Sequence, residues 1–195
     1  DTLDDAKALD RLVSGSDVVL HIAGVVNAPD RAGFAAGNVT GTANVIAAMQ
    51  RAGVKRLVHV SSLAARQPDL SDYCWSKFGA EENVRASDLD WTMIRPPAVY
   101  GPRDTEFVEV LRVARYGWLP VPPAGRASLI HVRDLARVLL ATCNAPTGRY
   151  SGQIWEVDDG APAGLSHLEL AAAMGRALRR KVRPIPLPQS ILLCF

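Results

Sequence analysis

Short apolar runs of strand length alternate with amphipathic stretches along the first hundred residues. That alternation restricts the fold more than any other property of the chain. The runs are 17–24 (DVVLHIAG), 55–62 (KRLVHVSS) and 91–95 (WTMIR), with a fourth at 153–157 (QIWEV). Each has the β-branched or aromatic content of a strand. Between them, 4–13 carries Ala8, Leu9, Leu12 and Val13 at helical spacing. From 34 to 52, Val39, Ala43, Ile46 and Ala47 recur at three- and four-residue steps before Gly53, a stop signal. Residues 71–84 form a third helix, with Ser71 or Asp72 as its N-cap. Strands alternating with helices specify a parallel sheet covered on both faces. The expected class is α/β, a doubly wound parallel sheet.

The second half changes character. Pro96, Pro97, Pro102, Pro120, Pro122 and Pro123 break it into loops around a helix at 106–115. Another helix follows Asp134, read as its N-cap, through Leu135, Val138 and Leu139. A last helix starts near Ser166 and ends in Arg179, Arg180 and Lys181. Pro184, Pro186 and Pro188 read as a segment crossing between lobes. This half is expected to be a smaller lobe. A chain of 195 residues suits one domain, or one with a small appendage.

Charge and cysteine usage exclude several classes. Lys and Arg number 22 against 20 Asp and Glu. A net charge of +2 lacks the basic excess of a nucleic-acid binder. Cys74, Cys143 and Cys194 are odd in number and far apart, which fits neither a disulfide framework nor a metal site. A reducing, cytoplasmic setting follows. No apolar run approaches the ~20 residues of a membrane helix. The chain begins at Asp1 and stops in an apolar stretch, so both ends read as cut.

The segment richest in chemistry is Tyr73-Cys74-Trp75-Ser76-Lys77. Tyr and Lys four apart share one helix face, one turn from each other. A lysine ammonium near a phenol stabilises the phenolate and lowers its pKa from about 10 toward the range useful for acid/base work. By itself the spacing is a weak signal. Ser61-Ser62 strengthens it, because Ser62 stands at the carboxyl end of the preceding strand, where open α/β sheets bind ligands.

With these residues in view, the chain resembles an extended short-chain dehydrogenase/reductase of the NAD-dependent epimerase/dehydratase type. Asp17–His21 with Ile22, Ala23 and Gly24 resembles the family's "DVVIHLAG", and Asn38-Val39-Thr40-Gly41-Thr42 its "NVxGT". Lys55 to Ser62 resembles "KRxVxxSS", and Tyr73, Ser76, Lys77 and Glu81 match "YxxSKxxxE". Residues 95–102 resemble "RPxxVYGP", and 129–136 "FIHVxDxA".

The resemblance implies Tyr73 as acid/base, Lys77 as the residue that lowers its pKa and holds the nicotinamide ribose, and Ser62 as the group orienting the carbonyl. It implies that Asp1 and Thr2 contact the adenine, that Ile22, Ala23 and Gly24 run beneath the cofactor, and that Pro96 and Pro97 flank the nicotinamide. The cofactor is NAD or NADP, and the substrate a small-molecule alcohol or carbonyl compound. The implied organisation is a partial Rossmann domain over 1–100 and, over 101–195, a substrate lobe with returning Rossmann segments. A homodimer through the central helix and the helix of Tyr73 is expected from the resemblance alone.

Three departures bear on function. The family's glycine-rich turn after its first strand is absent from the chain, so a strand-turn-helix unit is expected to precede Asp1. Gly33, Gly37 and Gly41, spaced by four, read instead as helix packing or local flexibility. Only ten residues separate Ser62 from Tyr73, and Ala127 stands where sugar-nucleotide enzymes carry an arginine, with Arg126 one step away. A lipophilic ketone or alcohol therefore competes with a nucleotide sugar. The rival readings are a non-catalytic dinucleotide-binding relative and an inactive fragment of the enzyme. The remaining features have bland readings. His21, His59, His131 and His167 are isolated, Asp158-Asp159-Gly160 is a turn, and the cations from Arg176 to Arg183 suit a helix C-terminus, with lipid-headgroup contact as the lesser alternative.

Overall fold

The computed structural model describes residues 2–146, 148–161 and 163–188. Asp1 and Cys194 lie outside the described residues. The chain divides into two compact units, one running through Pro97 and including Leu135–Val157, the other formed by Ala98–Asp134 and the segment from Asp158 onward.

The first unit is built on a parallel sheet. Helix α1 (Ala6–Val13) precedes strand β1 (Val18–His21), and a short α2 (Arg31–Phe34) runs through a π-helical turn (Ala35–Thr40) into α3 (Gly41–Ala52). Then come β2 (Arg56–Val60), two 3₁₀ turns (Leu63–Arg66 and Pro68–Leu70), α4 (Asp72–Ala86) and β3 (Asp90–Arg95). Further on lie β4 (Ala98–Tyr100), α5 (Thr105–Ala114), β5 (Trp118–Val121), β6 (Arg126–Ala127), β7 (Leu129–His131), α6 (Val132–Cys143), β8 (Gln153–Glu156), β9 (Leu165–Ser166), α7 (His167–Ala177) and β10 (Arg183–Pro186). Strands β1, β2, β3 and β8 lie side by side in that order, all parallel.

The expected α/β class is therefore observed, with the strands placed where the apolar runs lie. From Leu57 to Val60 every residue of β2 is buried, as a central strand covered on both faces requires. Leu9 and Val13 of α1, Val45, Ile46 and Met49 of α3, and Val84 of α4 close over Leu57 and Met93. Helix α1 starts at Asp5, whose carboxylate accepts from Ala8 N at 2.9 Å. Helix α3 stops at Gly53, in the left-handed region at φ 71°. The glycines of the α2–α3 segment are packing residues. A Cβ on Gly37 would stand 2.2 Å from Val25 Cγ2, and one on Gly41 2.7 Å from Leu3 Cδ1.

The second unit holds three two-stranded pairings, β5 with β10, β4 with β7 and β6 with β9. Three expectations are corrected here. The prolines do not leave only loops, since Pro120 lies within β5. Pro184 and Pro186 belong to β10, which pairs with β5 in this same unit and so does not cross between lobes. Strand periodicity explains the tolerance. Arg183 N and Leu187 N donate to Gly117 O (2.9 Å) and Val121 O (2.8 Å), and the alternate residues Pro184 and Pro186 turn their nitrogens to the outer edge, where no donor is needed. Asp134 is the third residue of α6 rather than its cap. In α7 the cap is Ser166, in a reciprocal capping box with Glu169. Among the described residues no helix is long and apolar enough to cross a membrane.

One buried ion cluster joins sheet and helix in the first unit. Glu81 of α4 is fully buried, accepts from Ser61 Oγ just past β2, and takes both Nε (2.8 Å) and Nη2 (2.7 Å) of Arg95 at the end of β3. Arg85 adds a bond at 2.7 Å. Burial alone raises the Glu81 pKa, but the bonds from Arg95 and Ser61 and the two guanidinium charges prevail and hold it below the usual carboxylate range. Removing one member of such a group leaves a buried charge unpaired, at a cost of about 3–5 kcal/mol. Glu81→Ala is therefore expected to lose that much in urea unfolding, with Glu81→Gln recovering part. Alanine at the exposed Glu82, which also pairs with Arg85, is expected to cost less than about 1 kcal/mol.

Candidate active site

The segment after β2 and the first turns of α4 face each other because the chain returns to the sheet within a dozen residues. Ser71 caps α4, its hydroxyl accepting from Cys74 N at 3.1 Å, which fixes where the helix starts. Tyr73 and Lys77 then lie one turn apart on the side facing the end of β2. Lys77 is buried, and its Nζ donates to Val60 O at 3.0 Å. Ser62 is half-buried and caps the following 3₁₀ turn by accepting from Ala64 N at 3.1 Å. Leu63 N donates to Pro96 O at 3.0 Å, which ties the Ser62 loop to the segment after β3.

Tyr73 is half-buried, with the Phe34 ring 6.0 Å away. Burial raises its pKa above 10, a hydrogen bond with Ser62 pulls the other way, and Cys74 adds a small upward push. The resemblance implied the reverse, a phenol lowered by Lys77. In the chain by itself the Lys77 ammonium is engaged by the Val60 carbonyl, and Tyr73 remains a phenol at neutral pH. Burial also lowers Lys77 to about 8, against the pull of Glu81.

Asn38 belongs to this neighbourhood, and sequence reasoning gave it no role. It sits buried in the π-helical turn. Its Oδ1 accepts from Val25 N at 2.8 Å and its Nδ2 donates to Val25 O and Ser76 Oγ, both at 2.9 Å. Ser76 Oγ in turn donates to Tyr73 O at 2.8 Å. One amide thus connects the loop after β1 to the backbone of the tyrosine. The available signal was an asparagine in mid-helix, where its side chain has reason to seek backbone groups.

Two of the supposedly isolated histidines form a pair. The His21 and His59 rings lie 5.2 Å apart, within reach of the Lys77 charge. His21 Nε2 meets Thr42 Oγ1 at 3.1 Å, whereas neither ring nitrogen of His59 has a partner among the described residues. Burial, then the Lys77 charge, lowers His21 to about 4 and His59 well below its usual value. Both rings are neutral at pH 7, which is how an ammonium can sit beside them.

A cleft of about 880 Å³ opens beside these residues, lined by Thr2, Ala23, Gly24, Gly37, Thr40 and Asn44 among others. Thr2, Ala23 and Gly24 thus line one cleft. Ile22 is exposed, and Pro96 and Pro97 lie at the end of β3, outside this cleft. A Cβ on Gly24 would stand 2.8 Å from Asn38 Oδ1 and 3.9 Å from Lys77 Nζ. The bare backbone there, next to a buried ammonium with donors to spare, fits a dinucleotide's polar ribose.

The second unit has a cavity of its own, about 570 Å³ and mostly apolar, with Phe107, Leu111, Leu129, Leu170 and Met174 in its walls. Its polar corner is Tyr100, whose hydroxyl donates to Asp159 Oδ2 at 2.8 Å, while Asp159 Oδ1 accepts from His131 N at 2.9 Å. The Asp159 bond, with burial and the charges of Asp159 and Asp134, pushes Tyr100 up to about 12. Asp158 behaves as the turn residue expected, accepting from Gly160 N and Ala161 N. Arg126 is committed to Gly164 O at 2.7 Å and Glu169 at 3.4 Å. Among the described residues no cluster of three metal-ligating side chains occurs.

Comparison with known proteins bears on the family and the fold. A family model described as NAD(P)H-binding matches residues 1–146. The chain is 39% identical over 189 residues to a ceramide reductase of Caulobacter vibrioides, covering 96% of this chain and 58% of that protein. It is 28% identical to a 4-hydroxy-2-methyl-3-oxo-4-farnesyl-3,4-dihydroquinoline-1-oxide ketoreductase of Stigmatella aurantiaca, covering 95% of this chain and 61% of that one. The chain therefore spans about three-fifths of the length of these relatives. Among solved structures, MoeE5 in complex with UDP-glucuronic acid and NAD superposes with a TM-score of 0.78 at 21% identity, over 96% of this chain and 71% of that one.

The histidine pair sets an acid limit. Between pH 6.5 and about 4 the unfolded chain binds protons that the folded chain refuses, so stability falls as pH falls through that window. For His21 alone the loss at pH 5 is roughly 2 kcal/mol. Urea midpoints measured at pH 7, 6 and 5 are expected to drop in step, and His59→Leu to flatten the slope.

Proposed function

The chain belongs to the NAD(P)H-binding family, and from that premise we propose that it serves an NAD(P)-dependent oxidoreductase that transfers hydride at a secondary alcohol or ketone carbon, with Tyr73 as the acid/base. The observation that carries this reading is the meeting of Ser62, Tyr73 and Lys77 where β2 ends and α4 begins. Ser62 holds the substrate oxygen by donating its hydroxyl proton to it. Tyr73 gives its own proton to that oxygen as the carbon becomes tetrahedral, so a ketone, a hydride and a proton yield an alcohol. The bound cofactor supplies the hydride. Lys77 binds the nicotinamide ribose and places its positive charge near the phenol that loses the proton. Ala23 and Gly24 offer a backbone surface to the dinucleotide, Asp1 and Thr2 the adenine contacts, and Ile22, Pro96 and Pro97 a hydrophobic border.

Reduction is the favoured direction. The relatives matched above are named reductases, and a neutral Tyr73 phenol has the proton that reduction must deliver. The substrate we assign is a ketone bearing a long apolar group. Three observations support this. Ala127 offers no cation, Arg126 is already engaged by Gly164 and Glu169, and the two reductases above are named for a ceramide and for a farnesyl-bearing compound.

Oxidation of NADH or NADPH by aliphatic ketones of increasing chain length tests the reading. kcat/KM is expected to rise about fourfold per methylene over the first members of the series. Tyr73→Phe is expected to lower kcat by about 10²–10⁴-fold. Reduction should hold steady from pH 6 to 7 and decline from about pH 8 upward as Lys77 loses its charge, while alcohol oxidation first climbs with pH. A Tyr73→Phe protein with unchanged turnover would refute the assignment. Tight dinucleotide binding without turnover of any ketone would favour a non-catalytic relative.

A further inference from the structure

The basic segment at the end of α7 does not stand alone. Parallel pairing sets Arg183 of β10 opposite Trp118 of β5, so both side chains point to the same face of that small sheet. The other face carries Leu119 and Val121, which pack into a core with Ala171, Met174 and Val182. Trp118 is left 60% exposed and Tyr116, two residues earlier, 65% exposed. Neither ring has a role in the core. Arg115 lies over the Tyr116 ring at 5.0 Å. The Arg180 guanidinium donates to Arg115 O, which draws the turn after α7 against the turn after α5. Arg179, exposed, holds a left-handed backbone at φ 50°, a position after a helix that usually falls to glycine.

Segments 110–121 and 176–186 contain seven of the chain's 22 basic residues and no carboxylate, in a protein whose net charge is only +2. Among the described residues Arg112 alone of the seven is ion-paired, with Glu109. Val110 and Val113, about two-fifths exposed, add apolar surface beside the rings.

We propose that this face, with Tyr116 and Trp118 at its centre and Arg115, Arg179, Lys181 and Arg183 around them, docks on an anionic phospholipid surface. Cations attract the headgroups, each contributing roughly fivefold to partitioning. Exposed Trp and Tyr settle at the headgroup level, where one side of the ring is apolar and the other wet. A polyanion such as RNA would use the cations but has no need of exposed valines. The surface is independent of which carbonyl compound the active site reduces.

The test is vesicle flotation with phosphatidylcholine alone and with one-third phosphatidylglycerol. The full chain is expected to bind the anionic vesicles, to bind neutral ones at least about 100-fold more weakly, and to be released by salt. Arg179→Glu, Lys181→Glu and Arg183→Glu combined should reduce binding at least about 100-fold at an unchanged melting temperature. Quenching by bromine-labelled lipid provides a second readout on the unaltered chain, and the quenched fluorescence should vanish in Trp118→Phe. Equal binding to neutral and anionic vesicles would overturn the proposal. So would failure to bind anionic vesicles, retention by the charge-reversed protein, or absence of Trp118 quenching. Binding to heparin as tight as to vesicles, with Trp118 unquenched, would identify a general polyanion patch instead.

Discussion

The candidate site depends on a carboxylate that never meets solvent. Glu81 sits one turn beyond Lys77 and two beyond Tyr73, and it joins the ends of β2 and β3 through Ser61 and Arg95. A helix packed against a sheet by apolar side chains alone has latitude to slide, because dispersion is not directional. A bidentate guanidinium–carboxylate bond has almost none. By fixing α4 against two strand ends, Glu81 determines how far Tyr73 lies from Ser62 and which carbonyl Lys77 can reach. The network also explains why so polar a cluster is tolerated in the interior. Every group in it has a partner, so burial strengthens the bonds instead of stranding charges.

The same interior contains one group without that security. His59 has two ring nitrogens and no partner for either among the described residues. Its neighbours are another imidazole and the Lys77 ammonium, and both forbid it a proton. The arrangement trades stability in acid for an uncharged pair near Lys77. A carboxylate in place of either histidine would tie down the ammonium that the proposed chemistry needs. Asn38 solves a related problem at the opposite wall, since its neutral amide satisfies both backbone groups of Val25 without adding charge.

The sheet was legible in the sequence because its central strands, β2 and β3, are buried over most of their length. A strand buried on both faces reads as an unbroken apolar run, and each of the four runs contains an observed strand. Ser62, Tyr73 and Lys77 were legible as a spacing, and the structure brings them into one neighbourhood. The short strands of the second unit were hidden for a physical reason. β5 and β10 pair on one edge only, so proline is permitted in them and the usual strand signal is erased. Asn38, the histidine pair and the Tyr100–Asp159 contact were not legible, since each depends on residues brought together across long stretches of chain. The upward shift of Tyr73 was likewise beyond the spacing rule, because burial and the Val60 carbonyl act on the pair in ways that spacing does not encode.

The π-helical turn between α2 and α3 has a consequence at the level of the gene. It amounts to one surplus residue wound into an otherwise continuous rod, and the surplus shifts the phase of everything upstream relative to downstream. Each residue of an α-helix turns the chain by about 100°. Loss of a single codon within Ala35–Thr40 would restore ordinary winding and an ideal helix, yet rotate Asn38 out of reach of Val25 and Ser76. Substitutions at the exposed positions of this rod can be absorbed one by one, whereas its length cannot change. Insertions and deletions in its descendants should therefore be purged from these six positions even while the residues around them drift.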